Sequence, residues 1–356
     1  MSLADSQFEA LEGLEPGEFG ATLDPAQSPD EIVFRFRLSP IRSQPVVRAS
    51  QEKCGEVLQL GLIGLGKMGE AMAERLLDSG SGLIVHNRSA GPMDRLGKRG
   101  ATPAATPAEV AQRASVILTV LPKGEDVQSV FYGDEGLLEN ATAGTLLMDC
   151  STVEPALSRS LASAANERNL RFADVGVGGL PPDARAGRLN FMYGATPEDA
   201  SAVEATLRPL AATCWHCGPP GSGMTTKLIN NLLATVIHVA DLEAVLLAER
   251  AGLDVSVFLQ VLQTTLAQNR QLRDRVPAEL TDQEHIPGFK IDLAYKDAVA
   301  GQALAEDLGV PLVLLSSGSV VLREARDRGF GDLSVSALLR TLRERLAALE
   351  VTARDH

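Results

Sequence analysis

Uninterrupted apolar runs alternate with segments of helical periodicity over the first part of the chain. Such runs are expected of strands that are buried on both faces of a parallel sheet. Helical segments between them complete the pattern of repeated βαβ units, which predicts an α/β fold with a doubly wound sheet in residues 57–220. The predicted strands are residues 57–63, 83–86, 116–120, 146–149, 171–177, 189–193 and 212–217.

The pattern changes at residue 221. Residues 221–252 contain no proline, begin and end with glycine, and are apolar on most of the helical circumference. We therefore expect one helix of roughly 40 Å, at 1.5 Å per residue, with most of its surface buried. It would join the sheet to an all-α domain, residues 221–356. The further predicted helices are residues 255–263, 291–308, 311–328 and 333–349.

Residues 1–56 are predicted to be an N-terminal extension. The first thirty residues are acidic and rich in glycine, proline and serine, which is typical of poorly ordered chain. Residues 32–38 alternate between apolar and charged positions, which predicts a short strand. The extension contains no motif of recognisable chemistry.

Composition excludes several classes of partner. The net charge is −13 and there is no basic patch, so we expect no nucleic acid to bind. No apolar run reaches about 18 residues without a polar interruption, which argues against a membrane span. The acidic N-terminus fits neither a secretory signal nor a transit peptide, and four cysteines indicate reducing surroundings, so we expect a cytoplasmic protein.

One pair of cysteines has the spacing of a redox motif. Cys214 and Cys217 form a C-x-x-C sequence, but no second pair exists to complete a zinc site. We interpret them as the end of a buried strand, and we expect no bound metal.

A glycine-rich turn follows the first predicted strand. Its three glycines would allow the tight turn, the approach of a pyrophosphate to the backbone, and close packing of helix on strand. Because the G-x-G-x-x-G lies between a strand and a helix, it predicts a Rossmann dinucleotide-binding domain. The turn reads Gly64-Leu65-Gly66-Lys67-Met68-Gly69.

The residues after the second strand indicate which dinucleotide binds. An NAD site usually has an acidic residue here for the ribose 2′-hydroxyl, whereas this chain has Asn87, Arg88 and Ser89. Arg88 and Ser89 suit a 2′-phosphate, so the sequence favours NADP over NAD. The alternative is an exposed arginine at the end of a strand.

Two further strands end in candidate binding residues. Leu121 and Pro122 end one strand at the carboxyl edge, where open α/β sheets bind ligands. Ser151 and Thr152 follow the next strand and precede a predicted helix at Pro155. These hydroxyls would bind a substrate carboxylate or simply cap the helix, and the pattern alone leaves both readings open.

Polar side chains cluster at the start of the long helix. Lys227, Asn230 and Asn231 share one face, because residues three and four apart are neighbours on a helix. One interpretation is a catalytic amine with amide partners. The other is a solvated first turn.

Together, these motifs resemble the β-hydroxyacid dehydrogenase family, which includes 3-hydroxyisobutyrate dehydrogenase, tartronate semialdehyde reductase and glyoxylate/succinic semialdehyde reductases. The resemblance covers about residues 58–349. It implies that Lys227 is the catalytic lysine and that Asn231 binds the substrate. It also implies that Ser151 and Thr152 bind the substrate and that Lys296 lies by the cofactor.

One loop departs from the family pattern. The family has a Ser-Gly-Gly loop that helps to bind the substrate carboxylate, and here the aligned residues are Gly178-Gly179-Leu180, followed by two prolines. The resemblance implies that the amides of Gly178 and Gly179 keep this role. Because the serine hydroxyl is absent, a substrate from outside the usual set is an open alternative.

The resemblance implies reversible hydride transfer between NADP and a short 3-hydroxy acid or semialdehyde, in a homodimer or homotetramer. The alternatives are an imine reductase, which generally has another residue in place of the lysine, and a non-catalytic NADP-binding module. A decarboxylating 6-phosphogluconate dehydrogenase is disfavoured because the long C-terminal domain of that family is missing.

Overall fold

The computed structural model describes residues 59–281 and 288–354, with side chains described as far as residue 348. The predicted extension, including the strand at residues 32–38, lies outside the described residues. So do residues 57 and 58 of the first predicted strand.

Eight strands form one sheet in the order β3-β2-β1-β4-β5-β6-β7-β8. Neighbouring strands are parallel, except that β6 and β7 are antiparallel. The first six strands have the order of a dinucleotide-binding sheet, so the predicted doubly wound fold is confirmed. The strands are β1 Gln59–Ile63, β2 Gly82–His86, β3 Thr102–Pro103, β4 Val116–Thr119, β5 Leu146–Asp149, β6 Arg171–Gly178, β7 Leu189–Gly194 and β8 Ala211–Gly218.

Apolar layers cover both faces of this sheet, which explains why its central strands are apolar without alternation. Side chains of successive strand residues point to opposite faces. Leu62 and Val85 accordingly belong to one buried cluster, whereas Ile63 and Ile84 belong to another. Burial of both sets holds the strand register, since a slip of one residue would exchange the two faces.

Eight helices accompany the strands. They are α1 Lys67–Asp78, α2 Ala90–Gly97, α3 Pro107–Arg113, α4 Gly124–Phe131, α5 Leu137–Asn140, α6 Pro155–Asn166, α7 Pro181–Arg185 and α8 Ala200–Leu207.

Prolines lie in the first turn of two of these helices. Pro181 and Pro182, which the sequence predicts to be loop, open α7, and Pro92 lies in the first turn of α2. Proline is tolerated there because the first backbone N–H groups of a helix have no intrahelical acceptor. Proline therefore marked the beginning of a helix at both places.

The rest of the described chain is helical. Its first helix, α9, packs on β6 and β7 with its N-terminal turns and on later helices with the remainder. A separate apolar core, which includes Leu242, Val245 and Leu322, joins these helices. The helices are α9 Ser222–Arg250, α10 Val255–Leu262, α11 Arg270–Asp274, α12 Val276–Thr281, α13 Ile291–Asp307, α14 Ser317–Asp327 and α15 Leu338–Arg354.

The helix predicted at residues 311–328 begins later, at Ser317. The hydroxyl of Ser316 donates to Leu312 O at 2.8 Å, and that of Ser317 donates to Leu314 O at 2.6 Å. Serine hydroxyls compete with the backbone in this way and favour turns. Residues 311–316 therefore form an irregular segment that ends in a turn just before the helix.

The expectation that α9 is mostly buried is wrong for the single chain. Leu247 is 72% exposed, and Ile229 and Leu233 are each about half exposed. By length and composition α9 is also apolar enough to cross a membrane, with a hydropathy of 1.6. Core helices of globular proteins pass the same test, and the buried His238 and Asp241 on this helix contact other parts of the protein.

Cys214 and Cys217 lie on a strand, β8, as the sequence predicts, but no residue of this strand is buried and Trp215 is 42% exposed, so the expectation of a buried strand is wrong. Residues three apart in a strand point to opposite faces and are separated by roughly 10 Å, which is too far for a disulfide. The described residues hold no group of three or more His, Cys, Asp or Glu side chains that could bind a metal ion.

Candidate active site

The turn after β1 has the shape that a dinucleotide requires. Gly64 has φ +95°, and a Cβ there would overlap the carbonyl oxygen of Val120. A Cβ on Gly69 would overlap Gly64 O, because α1 packs closely on the turn. A Cβ on Gly66 would meet nothing within 4 Å, so the backbone there is open to a ligand. These features fit a pyrophosphate at the N-terminus of α1.

Asn87 holds this turn against the end of β2. Its Oδ1 accepts from Leu65 N at 2.9 Å, and its Nδ2 donates to the hydroxyl of Ser89 at 2.9 Å. The side chain of Arg88 is exposed and makes no hydrogen bond or ion pair with any residue between 59 and 281 or between 288 and 354. A guanidinium without a partner among these described residues is available to a phosphate.

The carboxyl ends of β4 and β5 are joined by buried polar contacts. The hydroxyl of Thr119 donates to Asp149 Oδ1 at 2.7 Å, and Ser151 N donates to the same oxygen at 3.1 Å. Ser151 Oγ accepts from Leu121 N at 2.9 Å. Ser151 therefore fixes the Leu121 loop. It does not cap α6, whose N-cap residue is Glu154 without a side-chain cap.

Lys296 reaches from α13 to these two loops. Its Nζ donates to Pro122 O at 3.1 Å and to Thr152 O at 2.8 Å. The structure thus brings together three segments that the sequence predicts to lie at the site.

Asp297, the residue after Lys296, is 2% exposed and therefore buried. Its Oδ2 accepts from Asn231 Nδ2 at 2.8 Å, and its Oδ1 lies 3.7 Å from Lys296 Nζ. Sequence reasoning missed this carboxylate because a Lys-Asp pair at the start of a helix is common on surfaces. The signal that could have found it was the spacing of Asp297 three residues after Ala294, on the apolar face of α13.

Lys227 lies one turn before Asn231 on α9. It is partly buried and packs against β6 so closely that a Cβ on Gly176 would lie 2.7 Å from Lys227 Cβ. Its amine makes no hydrogen bond with any residue the structure describes. Burial lowers the pKa of Lys227 from its ordinary value of 10.5, and the charge of Asp297 opposes that shift. The solvated-turn interpretation therefore does not fit this amine.

Asn230 lies next to Asn231 on α9, and Gly178 and Gly179 follow Gly176, the residue against which Lys227 packs. Asn230 is exposed, and its Nδ2 donates to Asn231 Oδ1 at 3.2 Å. Gly178 ends β6, and Gly179 follows it with φ +124°. The loop that follows is held by a bond from Leu180 N to a carboxylate oxygen of α7 at 3.0 Å.

Asp174 sets the position of α9. Its two carboxylate oxygens accept from Gly221 N and Met224 N, each at 2.6 Å, at the beginning of the helix. A Cβ on Gly223 would lie 2.6 Å from Asp174 O, so glycine permits this close approach. Burial raises the pKa of Asp174 to about 6, which leaves it mostly ionised at neutral pH. An ionised carboxylate at a helix N-terminus is favourable.

Two protein-family models match the chain in order. Residues 59–218 match the NAD binding domain of 6-phosphogluconate dehydrogenase. Residues 221–342 match the segment described as NAD-binding of NADP-dependent 3-hydroxyisobutyrate dehydrogenase. The 3-sulfolactaldehyde reductase of Escherichia coli (strain K12) is 33% identical over 284 residues, or 80% of this chain and 95% of that protein.

The chain belongs to the β-hydroxyacid dehydrogenase family. The mitochondrial 3-hydroxyisobutyrate dehydrogenase of Mus musculus is 30% identical over 291 residues, covering 80% of this chain and 87% of that protein. The 3-hydroxyisobutyrate dehydrogenase of Mycobacterium tuberculosis, solved with L-serine, has a TM-score of 0.75 at 26% identity and covers 81% and 100% of the two chains. This β-hydroxyacid dehydrogenase is accordingly an NAD(P)-dependent oxidoreductase of hydroxy acids.

Proposed function

We propose that this β-hydroxyacid dehydrogenase uses NADPH to reduce a short semialdehyde that carries a carboxylate, and that it oxidises the matching 3-hydroxy acid in reverse. Lys227 would be the general acid and base. The observation that supports this most strongly is the amine of Lys227, which lacks a hydrogen-bonding partner among the described residues and lies beside the Asn231–Asp297 pair.

The cofactor, when bound, supplies or accepts the hydride. The open turn around Gly66 would hold its pyrophosphate at the N-terminus of α1. Lys67 and Lys296 would add positive charge on two sides of the site. Leu121 and Pro122 would lie along the cofactor, at the carboxyl edge that Lys296 already contacts.

The side chains of this protein would move and orient the proton. In reduction, Lys227 as an ammonium donates a proton to the carbonyl oxygen, and in oxidation the neutral amine takes the hydroxyl proton. Asn231 would orient the reacting oxygen, because Asp297 fixes its amide. Thr152 and the amides of Gly178 and Gly179 would bind the substrate carboxylate, while Ser151 positions the adjacent loop.

Replacing Asp297 with Asn should move the pH profile of oxidation to lower pH. The neutral amine is the active form in oxidation, so kcat/KM rises with pH through the pKa of Lys227. The charge of Asp297 raises that pKa, and its removal should lower it further. The measurement is kcat/KM against pH, with Asp292→Asn on the exposed side of the same helix as control. A shift to higher pH would contradict this role.

Replacing Arg88 with Gln should selectively weaken the binding of NADPH. Loss of a charge-assisted hydrogen bond to the 2′-phosphate should raise the KM for NADPH about 10- to 100-fold and leave that for NADH nearly unchanged. Steady-state kinetics with both cofactors checks this. As a control, Lys98→Gln replaces another exposed cation nearby in the sequence and should change neither KM. Equal losses with both cofactors would argue against recognition of the 2′-phosphate.

We also propose that two copies of the chain associate through the helical part. All but two of the large hydrophobic residues that are exposed in the described chain lie in residues 229–320, including Val313 at 82% and Leu314 at 73%. Such a surface is characteristic of an interface between subunits.

Light scattering after gel filtration should therefore give at least twice the chain mass of 37.7 kDa. The double variant Val313→Lys/Leu314→Lys should shift the protein towards the monomer if this part of the surface is covered. A monomeric wild-type protein at micromolar concentration would refute the association.

A further inference from the structure

A cavity of about 70 Å³ lies in the helical part of the chain, next to the proposed reaction centre. It is large enough for a small polar group. Asn231, whose amide binds Asp297, also forms part of its wall. Thr235, His238, Gln271 and Arg275 also line the cavity.

The cavity continues the line of the reacting groups along α9. Lys227, Asn231, Thr235 and His238 are spaced by four, four and three residues, which places them on one face of the helix. At 1.5 Å per residue, His238 lies roughly 10 Å beyond Asn231. A substrate whose carbonyl lies at Lys227 would therefore have to extend by several atoms to reach the far end.

A fully buried carboxylate lies next to His238, at the far end of the cavity. Glu279 is 0% exposed, and its Oε1 accepts from Arg275 Nε at 2.5 Å. Its Oε2 lies 3.2 Å from His238 Nε2, whereas His238 Nδ1 has no hydrogen-bond partner among the described residues. His238 is 3% exposed, so a polar nitrogen without such a partner is buried at the cavity.

Arg275 is among the residues that line the cavity, and its counter-ion Glu279 is not. Glu279 binds only Nε, and the two terminal nitrogens of Arg275 make no hydrogen bond with residues 59–281 or 288–354. The guanidinium thus retains planar donors for a second acceptor. Gln271 adds a side-chain amide beside it.

We propose that the preferred substrate carries a second anionic group, of the carboxylate type, at the end away from the reacting carbon. Arg275 binds this group in the cavity, and His238 and Gln271 contribute polar contacts. The inference rests on the proposed function, because it takes the reacting carbon to lie at Lys227. A short semialdehyde with one carboxylate would leave the cavity unfilled.

The test compares hydroxy acids that share the reacting end. The methyl group of 3-hydroxyisobutyrate is extended by two or three carbons that end either in a carboxylate or in the isosteric amide. Wild-type enzyme should prefer the carboxylate by at least about tenfold in kcat/KM, as expected for a hydrogen bond to a charged group. Arg275→Gln should abolish that preference. Arg270→Gln, an exposed arginine on α11, should retain it.

A second variant shows whether a loss of preference comes from misfolding. Arg275→Gln leaves Glu279 buried without its cation, whereas Arg275→Gln/Glu279→Gln removes both charges and keeps their shapes. The double variant should show the same loss of preference. Equal use of the carboxylate and amide analogues by wild-type enzyme, or a preference that survives both variants, would overturn the proposal.

A binding measurement distinguishes failure of this inference from failure of the proposed function. If no hydroxy acid is turned over, calorimetry with glutarate and its monoamide in the presence of NADP⁺ still reports on the cavity. Glutarate should bind at least about tenfold more tightly than the monoamide to wild-type enzyme, and equally to the double variant. Absence of any difference in wild-type enzyme would overturn the proposal, whatever the reaction.

Discussion

Replacing Lys227 with Ala should lower kcat at least about a hundredfold, which is the usual contribution of a positioned acid or base. NADPH binding should be nearly unchanged. The amine lacks a hydrogen-bonding partner in the described chain, so its removal leaves no buried acceptor unpaired. Burial lowers its pKa, which brings it closer to the range in which it can both take and give a proton. In the Lys227→Ala variant, the proton would have to move through solvent instead.

The control for this variant is Lys290→Ala. Lys290 is an exposed lysine, 44% accessible in its side chain and paired with Asp332, just before α13. Single-turnover kinetics with each variant separates the chemical step from product release. Turnover of Lys227→Ala within a fewfold of wild type would show that another group moves the proton.

Replacing Asp174 with Ala should destabilise the fold by about 2–4 kcal/mol, because two buried backbone N–H groups lose their acceptor. Both of its short bonds go to the beginning of α9, the helix that carries Lys227. The favourable interaction of a negative charge with the helix N-terminus is lost as well. We therefore expect a lower midpoint of urea unfolding and, in the folded fraction, a lower kcat.

Asp94→Ala is the matched control. Asp94 is exposed on α2, so this substitution removes the same charge from the surface. It should change the free energy of unfolding by less than about 0.5 kcal/mol. If Asp174→Ala unfolds at the same urea concentration as the control, the contacts at the start of α9 do not stabilise it as proposed.

The parts of the fold that could be predicted carry strong local signals. The apolar runs of β1, β2, β4 and β5 are too short for helices and are bounded by glycine or polar residues. The turn around Gly64 shows why its motif is specific, since two of its glycines are required by space. Both signals depend on a few neighbouring residues only.

The features that escaped prediction depend on distant contacts. Asp297 is buried only because α13 crosses the beginning of α9, and nothing in its local sequence reports that crossing. The exposed apolar side of α9 was expected to be buried, because an apolar pattern alone does not distinguish a residue of the core from an exposed apolar residue. His238 and Glu279 were missed since they meet only through the packing of α12 on α9.

The loop that departs from the family pattern is ordered by its own contacts. Leu180 N is bound by the Asp183 carboxylate, and Arg185 of the same short helix pairs with Glu74 of α1 at 2.5 Å. The loop is thus tied to the helix that would hold the pyrophosphate. This link between the two binding regions does not require the missing serine hydroxyl.

The most direct test of the central claim is oxidation of NADPH by wild-type enzyme with glyoxylate and with succinic, methylmalonic and tartronic semialdehydes, run beside NADH. The account predicts turnover with at least one of these compounds, faster with NADPH than with NADH. Tight binding of NADPH without turnover of any carboxylate-bearing aldehyde in the panel, including homologues that carry a second carboxylate, would contradict it.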